Sequence, residues 1–203
     1  NGGYEVVLAE RLPALGGHAV QLAATFPSLD RPSDFTAPLI RAVTEHPEIR
    51  LYTYAEVTGL AGYVGNFTAS IKQRATYIDD GACTRCDACL GACPVSVPSE
   101  FDCGLSMRAA VYRPFPAAVP GRPVIDSASC LHFTADGCTA CSDACSAGAI
   151  VYTQKDAVVQ EEIGAVVVAT GYDLFPPERV GEYDSDSDVV TGLQFERLLA
   201  PDG

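Results

Sequence analysis

A chain of 203 residues, 48% of them hydrophobic, has material for a real core in one large domain or two small ones. Lys and Arg number 13 against 26 Asp and Glu, a formal charge of −13, which argues against nucleic acid as a partner and leaves basic or patch-specific proteins. Neither an apolar run of membrane-spanning length nor a charged-then-apolar leader is present, so no membrane span is expected.

The chain opens on Asn1 and at once enters a strand-like run, so it is expected to be a piece with sequence missing upstream. Residues 4–10 (YEVVLAE) read as a buried parallel strand by length and β-branching. Glu10 at its end, followed by Leu15-Gly16-Gly17, looks like the second strand of a dinucleotide-binding unit, where a carboxylate accepts hydrogen bonds from ribose hydroxyls. Gly16 and Gly17 would let backbone approach a cofactor closely. A solvated strand-end glutamate would read the same way, and no G-x-G-x-x-G precedes this strand. Residues 18–38 predict a short helix and then a loop; Thr36 to Glu45 predicts a helix capped by Thr36 with Pro38 in its first turn. Residues 49–58 and 66–73 alternate and are rich in β formers, with Gly65-Asn66 marking a turn. Together they predict a β-meander.

The most specific stretch is Cys83-Thr84-Arg85-Cys86-Asp87-Ala88-Cys89-Leu90-Gly91-Ala92-Cys93-Pro94. This is C-x2-C-x2-C-x3-C-P, the run that holds a [4Fe–4S] cubane in bacterial-type ferredoxins, in which the fourth Cys serves the other cluster. Cys130, Cys138, Cys141 and Cys145 supply that second cluster. The cross-over assigns Cys83, Cys86, Cys89 and Cys145 to cluster one, and Cys93, Cys130, Cys138 and Cys141 to cluster two. Two bound clusters would take the formal charge to about −17. Zinc sites favour two separated C-x2-C pairs, often with His, and disulfides suit small secreted scaffolds; neither matches three Cys within seven residues followed by Cys-Pro. Cys103, the ninth cysteine, reads as a small half-buried apolar residue and not a ligand. Reduced, metal-binding cysteines suit a cytoplasmic setting.

The iron–sulfur region runs from about Tyr77 to Ile150 and contains a proline-rich insert, Val95 to Ser129, expected to pack on the neighbouring domain or on a partner. Val151 to Gln160 and Gly164 to Thr170 (GAVVVAT) predict two further strands, the second running into Thr170-Gly171 and suited to a cofactor crevice at the carboxyl end of a parallel sheet. Glu182 to Asp188 predicts solvated acidic surface, and Leu193 to Leu199 a short helix.

In this order, the residues resemble the heterodisulfide reductase family, and within it the iron–sulfur flavin-bearing A subunits. The resemblance is carried by Gln21-Leu22 with Thr25-Phe26-Pro27, Gly62-Tyr63-Val64-Gly65-Asn66-Phe67, Phe115-Pro116 with Ala118-Val119-Pro120, Ala169 to Phe175, and Phe195-Glu196-Arg197-Leu198-Leu199. It covers nearly the whole chain. It implies an α/β fold: a partial FAD-binding, Rossmann-like (thioredoxin-reductase-like) domain over residues 1–76 and 151–203, with an inserted α+β ferredoxin domain of two [4Fe–4S] clusters over residues 77–150. FAD would lie near Glu10, Gly16, Gly17, the Glu56-Val57 strand and Thr170-Gly171. The implied partners are other subunits of a heterodisulfide-reductase-like complex and ferredoxin or hydrogenase and dehydrogenase electron donors, with flavin-based bifurcation in the complex. Three departures stand out. Arg31 and Asp34 replace a family Cys pair, Cys145 is followed by Ser146 and not Pro, and the first strand with its glycine-rich loop is missing, so weak or no FAD binding is expected of these residues alone. The alternative from another class is a two-cluster ferredoxin-like carrier whose α/β flanks are scaffold.

Overall fold

The computed structural model describes residues 2–135, 137–180, 183 and 189–200. It is a mixed α/β architecture with small sheets. Strand β1 (Val6–Glu10) pairs in parallel with β2 (Ile49–Thr53), Val6 opposite Ile49 and Glu10 opposite Thr53. The expected first strand is present and parallel but is half-buried, not buried: Val6 is 44% exposed, because in the described residues it has one neighbouring strand. The connection contains a 3₁₀ turn, Gly17–Gln21, and helix α1 (Pro32–Glu45). The helix starts four residues before the expected cap. Pro32 occupies the first turn, where a missing N–H costs nothing, and Asp34 complements the positive end of the helix. Thr36 is thus interior, its hydroxyl donating to Pro32 O at 2.8 Å, and Pro38 is inside the helix.

Residues 49–58 are two strands, not one. Tyr54 takes a left-handed conformation (φ 57°), donates its N–H to Leu12 O at 2.9 Å and accepts from Arg74 N–H at 2.9 Å. That kink passes the chain from β2 into β3 (Ala55–Tyr63), which forms an antiparallel hairpin with β4 (Asn66–Gln73) around Val64-Gly65. The third strand of this sheet, Ala157–Ile163, comes from beyond the cysteine region and pairs with β4, so the expected meander is instead a three-stranded sheet with β4 at its centre. The Arg50 guanidinium donates to Glu161 Oε2 at 2.8 Å and the Tyr52 hydroxyl to Glu161 Oε1 at 2.7 Å, which ties β2 to that third strand.

From Tyr77 the chain enters a run of short elements: helix α2 (Ala88–Ala92), the two-residue strand pairs β5 (Val97–Pro98) with β6 (Met107–Arg108) and β7 (Val111–Tyr112) with β8 (Val124–Ile125), then helices α3 (Leu131–Thr134) and α4 (Ala140–Asp143). Both ends of this region meet. Ile78 bridges Ile150, Asp79 N–H donates to Ala149 O at 2.8 Å, and Val151 N–H donates to Tyr77 O at 2.9 Å. A core joins Ile78, Ala110, Val111, Ile125 and Ala149 to Cys89, Cys130 and Cys141.

Strand β9 (Ala157–Ile163) follows, later than the expected Val151. Gly164 to Thr170 forms no strand, and Val167 is 89% exposed. The reason lies in the ladder: β9 ends opposite Phe67, where the β3–β4 hairpin turns, and its last rung is Gly65 N–H to Gly164 O at 3.0 Å. Beyond it no described strand offers a partner. Helix α5 (Gly192–Leu199) forms as expected, capped by Thr191: its hydroxyl accepts from Gln194 N–H, and Gln194 Oε1 accepts from Thr191 N–H. Of the expected acidic stretch Glu182–Asp188, all but Tyr183 lies outside the described residues.

The proline-rich insert packs on the first part of the chain. Leu15 N–H donates to Val119 O at 2.9 Å, Gln21 Nε2 to Phe101 O at 2.8 Å, and the buried Arg197 of α5 meets Asp102 at 2.9 Å.

Candidate metal centres

The cysteine loops are built by backbone geometry. Between Cys83 and Cys89 the chain takes left-handed turns at Arg85 (φ 60°) and Asp87 (φ 62°), which swing three consecutive cysteines round one centre. Asp87 O accepts the Leu90 N–H at 3.0 Å and opens α2, which carries Cys89 and ends at Cys93. Cys130 sits at the N-cap of α3 and Cys141 within α4. Helix α2 packs on α4, and that contact brings the two halves of the cysteine set together.

Eight of the cysteines sort into two cavities. One is lined by Cys93, Cys130, Cys138 and Cys141, with Val95, Val111 and Leu131. The other is lined by Cys83, Cys86, Cys89 and Cys145, with Ile78 and Ile150. Membership is crossed, since the fourth cysteine of each run lines the cavity of the other. Cys103 lines neither. Among the described residues no three His, Cys, Asp or Glu side chains converge on a single-ion site.

The donor set fits a polynuclear cationic core. Burial pushes the Cys89 thiol up to about 11, with Cys141 and Cys145 adding repulsion. Burial likewise raises Cys130 and Cys141. Thiols held so close in low dielectric become thiolates when a cation compensates them. The exposed Cys86 is held below the usual thiol range by the Ala88 N–H and then the Thr84 hydroxyl. Further donors meet the sulfurs: Ala149 N–H reaches Cys145 Sγ at 3.3 Å, and the Tyr152 hydroxyl lies 3.0 Å from Cys141 Sγ. Two guanidiniums brace the first loop, Arg113 on Asp87 at 2.5 Å and Arg122 on Asp80. Spacing rules carry no signal for Tyr152, Arg113 or Arg122, because these contacts are made across the fold.

The proposed flavin residues are less gathered. Glu10 Oε1 accepts its own loop's Leu12 N–H at 2.8 Å, and Leu12 O accepts from Tyr54, two residues before Glu56. The His18 ring stacks on Tyr172 at 4.9 Å, which brings the Gly17 turn beside Gly171. Gly17 (φ 52°) and Gly171 (φ 70°) have open space where a Cβ would stand, room that a ligand's approach requires. Gly16 is different: a Cβ there would meet Val20 Cγ1 at 2.4 Å, so packing within its own turn already accounts for the glycine. Glu56 and Val57 are exposed on β3, opposite Lys72 and Ile71.

No protein-family model matches the chain. Curated relatives do, over nearly all of it. The iron–sulfur A subunit of CoB–CoM heterodisulfide reductase from Methanocaldococcus jannaschii is 41% identical over 203 residues, 99% of this chain. A protein of the same description from Methanopyrus kandleri is 44% identical over the same length. Over nearly its whole length the chain is homologous to the A subunits of heterodisulfide reductase. A third relative, the A subunit of the H(2):CoB-CoM heterodisulfide,ferredoxin reductase of Methanothermobacter thermautotrophicus, is 38% identical. The chain spans about 30% of the length of each of these relatives. No helix among the described residues is long and apolar enough to cross a membrane.

Proposed function

We propose that the chain is an electron-transfer segment of a heterodisulfide-reductase-type oxidoreductase. Residues 77–150 form a ferredoxin-like unit with one [4Fe–4S] cluster on Cys83, Cys86, Cys89 and Cys145 and another on Cys93, Cys130, Cys138 and Cys141. The observation that carries this reading is the crossed sorting of eight cysteines into two cavities, the arrangement that C-x2-C-x2-C-x3-C-P requires of a two-cluster protein. Bound there, the clusters supply one-electron redox chemistry. The chain's own part is to hold the thiolates, wall them with Ile78, Val111 and Ile150, and place N–H and O–H donors on the sulfurs.

Residues 1–76 and 151–203 belong, in this proposal, to an FAD-binding α/β unit, with Glu10, Gly16, Gly17, Glu56, Val57, Thr170 and Gly171 on its cofactor side. The open Cβ positions at Gly17 and Gly171 support it. Some relatives are named for both a heterodisulfide and ferredoxin, one together with H2 and another together with H2 or formate. A flavin that divides electron pairs between two acceptors, the bifurcation proposal, accounts for such names. Partners would then be the other subunits of that complex and ferredoxin-type donors or acceptors.

Anaerobic reconstitution tests the cluster part: about eight iron and eight sulfide per chain are expected of two four-iron cubanes. Stoichiometric zinc without sulfide would contradict it. Flavin assay of the full-length protein tests the second part. Iron and sulfide without flavin there would favour the carrier reading, for which the exposed Val166-Val167-Val168, without a strand partner among the described residues, is the supporting observation.

A further inference from the structure

Tyr152 lies just beyond the Ile78–Ile150 bridge, outside both cysteine runs, yet its hydroxyl is 3.0 Å from Cys141 Sγ. Resting on the cluster assignment above, we propose that Tyr152 donates a hydrogen bond to the Cys141 thiolate and thereby raises the reduction potential of the cluster held by Cys93, Cys130, Cys138 and Cys141. It acts through Cys141, as a positioning residue.

The direction of the bond follows from chemistry. A thiolate that ligates iron has no proton to give, so the phenol must be the donor. Reduction adds one electron, and hence one negative charge, to the thiolate-bound core. A donor on a ligating sulfur stabilises that more negative state and makes the potential less negative.

The hydroxyl is aimed, not merely nearby. The Tyr152 ring lies flat on the His132 ring, centroids 3.6 Å apart and planes 8° from parallel. His132 is itself fixed by its Nδ1 contact with Cys138 O at 2.9 Å. Phe133 meets both rings edge-on and packs on Tyr77 at 4.6 Å. A phenol clamped in this way loses little freedom in making the bond. The clamp grows from α3 and from the backbone of Cys138, so the cavity itself orients the donor.

The test is an EPR-monitored redox titration of the anaerobically reconstituted 203-residue chain. In Tyr152→Phe the ring and its stacking stay and the donor goes. Iron should remain at the level of the unsubstituted chain, one midpoint potential should move to a more negative value, and the other should hold. The exchangeable proton coupled to that cluster in ENDOR spectra should disappear. Replacement of Tyr152 by 3-fluorotyrosine, a stronger donor of nearly the same shape, should move the same midpoint the opposite way. Unchanged midpoints in Tyr152→Phe with both clusters present would overturn the proposal. If Tyr152→Phe loses a cluster, the fluorinated chain decides, and the absence of a positive shift there overturns it. Failure of the unsubstituted chain to take up iron and sulfide is a different result, and it removes the cluster assignment itself.

Discussion

Arg197 is 2% exposed, and its guanidinium meets Asp102 at 2.9 Å, lies 4.4 Å from the centre of the Phe101 ring and reaches Gln21 O at 3.5 Å. One side chain of α5 therefore joins the insert to the turn after β1. Arg197→Ala would leave the mostly buried Asp102 without this partner, a change that costs about 3 kcal/mol when a buried pair is broken; urea unfolding should show the loss. Cys103 lies beside this pair, with its thiol pushed up by burial. Cys103→Ser is expected to leave iron content and the EPR of the reduced protein unchanged, and loss of a cluster would refute its place outside both centres. At this scale the ligand candidates were legible in the sequence, because three-residue spacing round a cubane is a local constraint. Arg197, Tyr152 and Arg113 were not, because each owes its role to a residue between 11 and 95 positions away.

Among the elements, the β3–β4 hairpin depends on Gly62. Its φ is 108°, and a Cβ there would stand 2.2 Å from Asn66 O, a backbone atom that cannot step aside. Gly62→Ala should destabilise the protein by about 1–3 kcal/mol, readable as a lower urea midpoint with an unchanged slope. The hairpin was legible, since alternation and a Gly-Asn turn are short-range signals, and α5 forms where a short helix was expected. Two misreadings share one cause. Apolar, β-branched composition marks GAVVVAT as a strand, but a strand exists only where a ladder partner does, and β4 begins at Asn66 with no described strand beyond it. In the same way Tyr54 looks like an ordinary strand residue, and only its hydrogen bonds to Leu12 and Arg74 show the kink that separates β2 from β3. The start of α1 escapes a sequence reading because Pro32 reads as a loop signal, although a proline in the first helical turn is favourable.

For the whole molecule, the cysteines proposed as cluster ligands are also part of the packing. Cys89, Cys130 and Cys141 belong to the same core as Ile78, Val111 and Ile125, and the insert that grows from that core holds Leu15, Gln21 and α5. Iron removal should therefore loosen more than residues 77–150. Binding free energy of a metal centre is folding free energy, so anaerobic chelation is expected to lower the thermal midpoint by roughly 10 °C or more. Retention of the same midpoint after all iron has gone would show that the core stands without it. The place of the cysteine loops between the β3–β4 hairpin and β9 was legible from motif positions. The closure of those loops by Ile78 and Ile150, and the Arg50–Glu161–Tyr52 link between the sheets, were not, since long-range pairing leaves no periodic trace.

The central claim is the crossed membership of the two centres, and paired cysteine variants test it directly. Cys93→Ala with Cys130→Ala removes two ligands from one proposed cluster and none from the other. Cys93→Ala with Cys83→Ala removes one from each. After anaerobic reconstitution, the first pair should retain about four iron per chain and the second close to none, as four-iron clusters with crossed ligands require. Four iron retained by the second pair and none by the first would mean that Cys83, Cys86, Cys89 and Cys93 share one cluster, and would contradict the account.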